Sequence, residues 1–141
     1  MARVDSKLVQ GSEAWFDMVG TVMSDAAARA GLPADLNISL VERYTDGSLL
    51  LNGLIQGLRF EIVAGKPRFR IGAGPTERGD ILIEITSAAA RELNLLHAAD
   101  PAYHAALGRF IESGEMRIDG DPARLGDWLG SVHDPIVDRT R

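Results

Sequence analysis

The stretch Phe110–Val132, FIESGEMRIDGDPARLGDWLGSV, decides the fold, because it sets a helix end, a short strand and a second helix start side by side. Gly114 follows the apolar pair Phe110 and Ile111, and a residue free to take positive φ ends a helix there. Met116 and Ile118 alternate with Glu115, Arg117 and Asp119, the period-two pattern of a strand with one buried face, and Gly120 closes it. Asp121 offers an N-cap oxygen and Pro122 the fixed φ of a first helical position. Leu125, Trp128, Leu129 and Val132 then recur at helical spacing, which predicts a carboxy-terminal helix over 121–132.

Upstream, Ser12 can cap a helix over about 12–31, in which Trp15, Phe16, Val19, Val22, Met23, Ala26, Ala27 and Ala30 form a broad apolar stripe. Gly31 and Pro33 stop it. Leu36, Ile38 and Leu40 alternate with Asn37, Ser39 and Val41 in a first strand, and Asp46-Gly47 predicts a tight hairpin turn into Leu49–Leu54. Leu58, Phe60 and Ile62 alternate with Arg59 and Glu61, and Ala64-Gly65-Lys66 turns the chain back through Phe69 and Ile71. Residues 72–80, GAGPTERGD, read as a loop that lets the strand Ile81–Thr86 reach another position in the sheet. Ser87 is placed to cap a helix whose apolar side carries Ala88, Ala89, Leu93 and Leu96. Asp100-Pro101 opens another, bearing Tyr103, Ala106, Leu107, Phe110 and Ile111. The economical packing of these elements is a single α+β domain over 1–141, a mostly antiparallel five-stranded sheet with helices mainly on one face, formed by about residues 36–133.

A chain of 141 residues can bury enough surface to hold a closed core with a cavity in it. Fifteen Lys and Arg against twenty Asp and Glu give a net charge of −5, which disfavours polyanions, so nucleic acid is not an expected partner. Lys66, Arg68 and Arg70 cluster on a hairpin whose other face carries Phe69 and Ile71, and read as a solvated strand face. There is no cysteine, which excludes disulfides, thiolate nucleophiles and Cys-based zinc. No apolar run resembles a signal peptide or is long enough to span a bilayer, so no integral membrane association and a soluble cytoplasmic location are expected.

Chemical motifs are sparse. Gly72, Gly74 and Gly79 precede a strand rather than a helix, so no phosphate-holding helix end follows them. His97, His104 and His133 lack the spacing that places two imidazoles on one helix face, and metal is not expected. His133 is read at a helix end where its positive form would complement the dipole. Ser87 and Ser113 lie outside any GxSxG context. Glu84 interrupts ILIEIT, but Ile81, Ile83 and Ile85 already form the inward set, so Glu84 is read as facing outward.

The pattern GxMRIDGDPARLGxWL, with Gly57–Ile71 (GLRFEIVAGKPRFRI) and Gly79–Leu96 (GDILIEITSAAARELNLL), resembles the sterol carrier protein type 2 family over about residues 36–133. Members of that family end in a strand of similar make-up followed by an apolar helix. The resemblance implies an apolar tunnel between sheet and helices that holds a sterol, a fatty acid or a fatty acyl-CoA without chemistry and without a cofactor. Large aromatics and flexible methionines suit such a lining. The residues assigned to it are Phe16, Met23, Phe60, Leu107, Phe110, Met116, Trp128 and Leu129, with the 121–132 helix closing one end and Trp128 and Leu129 touching the ligand. The chain ends DRTR rather than in the targeting tripeptide of the peroxisomal members, so a peroxisomal shuttle is not implied.

Two other classes stay open at this level. A small α+β enzyme, an isomerase or hydrolase acting on an apolar substrate with Glu84 or a histidine as base, would be favoured by a buried carboxylate facing a pocket. An accessory interaction domain would need an open groove for a partner helix. The oligomeric state is open too, a homodimer included.

Overall fold

Ser12 accepts a hydrogen bond from the Trp15 amide at 3.2 Å and Gly31 takes a φ of 66°, so the first helix, α1 (Glu13–Ala30), begins and ends at the residues the spacing marks. The computed structural model describes residues 7–141. The reading of Met1–Ser6 for an export signal lies outside them.

After α1 come β1 (Ile38–Tyr44), β2 (Ile55–Val63), β3 (Lys66–Ala73) and β4 (Ile81–Ile85), then α2 (Ser87–Asn94), α3 (Pro101–Ser113), β5 (Met116–Asp119) and, past two 3₁₀ turns, α4 (His133–Asp138). The five strands form one sheet in the order β3-β2-β1-β4-β5. Only the central β1–β4 pair is parallel; the other three pairs are antiparallel. The fold is therefore α+β, mostly antiparallel, as the alternation patterns predict.

Register explains the layering. Ile38, Leu40, Glu42 and Tyr44 of β1 stand beside Ile62, Phe60 and Leu58 of β2 and beside Ile81, Ile83 and Ile85 of β4. Side chains alternate along a strand, so all of these share one face. The helices cover that face: Phe16 of α1 is buried between Trp15 and Tyr44, with ring centroids 5.1 and 5.5 Å away. Gly20 lets α1 settle onto β3, because a Cβ there would lie 2.3 Å from Cδ2 of Phe69. Gly20→Ala is expected to cost about 1–3 kcal/mol by forcing that ring aside. Urea denaturation should show it as a lower midpoint at unchanged slope.

The opposite face is held by ions rather than helices. Val41, Ala73 and Leu82 form a small buried cluster there, and the 74–80 loop folds over it. Arg43 donates to the carbonyls of Gly74 and Glu77 at 2.9 and 2.8 Å and pairs with Glu84 at 2.9 Å. Glu84 thus faces away from the helices, as read. Arg59 and Arg70 are direct cross-strand partners whose like charges would repel. Glu77 accepts from both of them and from the Gly74 amide. Burial alone would raise the Glu77 pKa, but these bonds hold it below the usual carboxylate range. The loop turns carbonyls towards a cation, the reverse of a phosphate cradle.

The chain departs from its sequence reading in several places, one being β5, where Ile118 of the expected buried face is 38% exposed. Residues 121–132 are not a continuous α-helix but two 3₁₀ turns, Pro122–Leu125 and Asp127–Ser131, broken at Gly126 with φ 124°. Trp128 Nε1 donates to the Leu125 carbonyl at 2.8 Å, the acceptor that a helical Leu129 amide would have used. The Leu49–Leu54 strand is absent: Leu50 and Leu54 close a tight turn by a 2.7 Å backbone bond, and pairing along β2 starts at Ile55. Leu49 and Leu51 are left 72% and 96% exposed. Thr86, not Ser87, caps α2 by accepting from the Ala89 amide, and Ala88 faces solvent. Strand β3 also continues through Ala73, two residues into the segment read as loop.

Candidate functional site

The inner layer is not filled everywhere. Between α1, the 3₁₀ segment, α4 and the inner face of the sheet lies a cavity of about 240 Å³, and a second lobe of about 130 Å³ adjoins it towards α2 and β5. Trp15, Val19 and Met23, four residues apart along α1, form one wall of the larger lobe. Leu40 and Ile83 make its floor, and Leu129, Val132 and Ile136 close it from the carboxy-terminal side. Ile85, Ala90, Leu93 and Met116 line the smaller lobe. Other hollows open on the solvent face of the sheet around Arg59, Glu61, Arg68 and Arg70, and their side chains are consumed in ion pairs.

Glu42, Asn94, Tyr103 and His133 belong to both lobes and form a polar waist between them. Glu42 stands on β1 between Leu40 and Tyr44, with Leu58 and Ile83 as its lateral partners. It is half-buried, packed closely by protein atoms, and lines both lobes. Burial pushes its pKa up to about 7, because the surrounding protein penalises the charged carboxylate. The field of that carboxyl reaches Tyr44, whose phenol is raised first by burial and next by Glu42.

His133 is fixed by a 2.8 Å bond from Nε2 to the Leu96 carbonyl and by the Tyr103 ring, 4.4 Å away between centroids. It is the first residue of α4, so it sits at an amino-terminal helix end, and the favourable dipole expected for its cationic form is not available there. His104 is exposed and touches Tyr103 from outside.

The sequence-assigned lining divides into two groups. Met23 and Leu129 line the larger lobe and Met116 the smaller one. Phe16, Phe60 and Phe110 are buried among other core side chains and border neither lobe, and Leu107 packs half-buried on the same cluster. Trp128 is 8% exposed, tilted against Phe60 at 5.6 Å and turned away from both lobes by its bond to Leu125. The polar waist went unread. Its one accessible signal was the inward alternation Ile38, Leu40, Glu42, Tyr44, which sets an acid at a core position; Asn94, Tyr103 and His133 join it only through tertiary packing.

The crystal structure of sterol carrier protein 2 superposes on this chain with a TM-score of 0.50 at 16% identity, over 92% of this chain and 97% of that one. The fold is that of sterol carrier protein 2. The solution structure of the sterol carrier protein domain 2 of Helicoverpa armigera aligns at TM-score 0.47 and 14% identity, over 91% of this chain and 89% of that one. A ubiquinone synthesis protein, UbiJ-SCP2, aligns at TM-score 0.44 and 14% identity, over 88% of this chain and 86% of that one. No family model matches the chain, and no curated protein matches its sequence. The likeness to sterol carrier protein 2 is thus one of architecture, as the pattern of Phe110–Val132 implies, with few residues in common. Among the described residues no helix is long and apolar enough to cross a membrane.

Proposed function

We propose that the protein binds, and hands on, a hydrophobic small molecule of the sterol or fatty-acyl type, held in the two-lobed cavity. The observation that carries this reading is the cavity itself, whose walls are apolar on every side except the waist at Glu42. Together the lobes fall at the low end of small-molecule sites, about 300–1,000 Å³. Burial of apolar area, at about 25 cal/mol per Å², supplies affinity. The sterol carrier protein 2 fold adds support of the architectural kind.

Trp15 lines the larger lobe, so its emission is the natural reporter in a Trp128→Phe background, where it is the remaining indole. A long-chain fatty alcohol or a sterol is expected to shift that emission saturably. Leu129→Ala should weaken binding by about 1–3 kcal/mol while the domain stays folded, because Leu129 is half-buried and covers the lobe. A panel of such ligands with no effect on Trp15, together with native mass spectrometry showing no adduct, would overturn the reading.

Glu42 also favours a second reading. A carboxyl poised near neutrality in a dry cleft is equipped to take up and return a proton, as an isomerase acting on an apolar substrate requires. Under that reading Glu42→Gln abolishes turnover and leaves substrate affinity nearly intact.

A further inference from the structure

We infer that Glu42 selects the head group of the bound molecule, admitting a neutral hydroxyl-bearing ligand and turning away carboxylates; the inference rests on the cavity-binding reading above. The geometry places Glu42 where the two lobes meet, so a chain or ring system lying through both must carry a polar group at that level or leave the carboxyl without a partner. Facing it are Asn94 from α2, Tyr103 from α3 and His133 from α4, while α1, β4 and β5 present only Trp15, Val19, Met23, Ile83, Ile85 and Met116. No Lys or Arg lines either lobe among the described residues.

A carboxylate head would therefore meet no Lys or Arg, only the His133 imidazole already bonded to the Leu96 carbonyl, and would have a second acid beside it. Two carboxyls in one dry site cannot both ionise cheaply. An ammonium head would meet the right charge, yet it brings three donors and a large desolvation cost to a waist with one carboxyl. A hydroxyl matches what is there. It donates to the Glu42 carboxyl and accepts from the Asn94 amide, and Glu42 can serve it protonated or ionised.

The test compares 1-dodecanol, dodecanoate and dodecylamine, each below its aggregation limit, by calorimetry and by Trp15 emission on the full chain. At about pH 8, where Glu42 is ionised, dodecanol should bind about ten-fold or more tightly than either charged probe. Lowering the pH to about 6 should strengthen dodecanoate binding by about ten-fold, since Glu42 then carries a proton, and change dodecanol by less than about three-fold. In Glu42→Gln dodecanoate binding should lose that ten-fold pH dependence, and the gap to dodecanol that remains is the part set by the lack of a Lys or Arg in the lobes. Dodecanoate equal to dodecanol in the natural protein at about pH 8 overturns the selector role while cavity binding stands, and so does dodecylamine binding tightest. If none of the three binds, the cavity-binding reading falls and the inference with it.

Discussion

Glu42→Gln is expected to make the protein more stable by on the order of 3 kcal/mol above about pH 8, and to remove most of the decline in its stability between about pH 5 and 8. The sign follows from burial. Glu42 has its pKa raised from 4.5 in the free side chain to about 7 in the folded protein. Below the lower value both states hold the proton and the group is neutral in its effect. As pH rises past it, the unfolded chain gives up its proton first, so stability falls until the folded carboxyl ionises as well, and then levels off. Glutamine keeps the shape and carries no charge, which removes that slope. Paired denaturation curves across this pH range isolate the effect, because the acids held low by ion pairs, Glu61 and Glu77, are common to both proteins. Parallel stability profiles for the two would show that Glu42 is hydrated rather than enclosed.

Phe60→Ala should cost about 3–5 kcal/mol, the range for emptying a fully buried aromatic site. Phe60 has 0% exposure and stands in the middle of the inner face, opposite Leu40 on β1 and Phe69 on β3. Its ring also meets Trp128 at 5.6 Å, so the substitution removes the seat of the 3₁₀ segment that closes the larger lobe. The expected signature is a large drop in urea midpoint together with a red-shifted Trp128 emission as the indole gains water. Leu51→Ala serves as the comparison: at 96% exposure it should change stability by no more than about 0.5 kcal/mol. A Phe60→Ala loss below about 1 kcal/mol would mean that the sheet presents its other face to the helices.

Much of the architecture was legible because it is written in local patterns. The α1 caps at Ser12 and Gly31, the two-residue turn at Ala64-Gly65 and the Asp100-Pro101 start of α3 are short-range signals, and the chain obeys them. The errors arise where local and tertiary demands diverge. Leu49–Leu54 has the apolar content of a strand, yet its backbone bonds close within the turn, and Leu49 and Leu51 face water. The spacing of Leu125, Trp128 and Leu129 is helical in either an α-helix or a pair of 3₁₀ turns, and the indole bond to Leu125 settles it in favour of the turns. The site was harder still. Trp128 and Leu129 are adjacent in sequence and end up in different environments, one against Phe60 and the other at the cavity. Hydrophobicity does not distinguish a side chain that fills a core from one that borders a void. An acid at an inward strand position does carry that information, and Glu42 held it.

The parallel pairing of β1 with β4 sets how the chain can reach this structure in time. Strand β2 can fold back on β3 across a two-residue turn, an event of about microseconds. Strand β1 can join β2 early, but its other side must wait for a partner far along the chain: Ser39 is joined to Asp80, 41 residues away. Closing that span costs chain entropy before any contact rewards it. The β3-β2-β1 half should therefore assemble first and stand for a time with the long side of β1 open, until β4 and the helices after it arrive. During that interval the row holding Leu40, Glu42 and Tyr44 meets water, and its one acid interrupts an otherwise greasy edge, discouraging a second chain from pairing there before the first has finished folding.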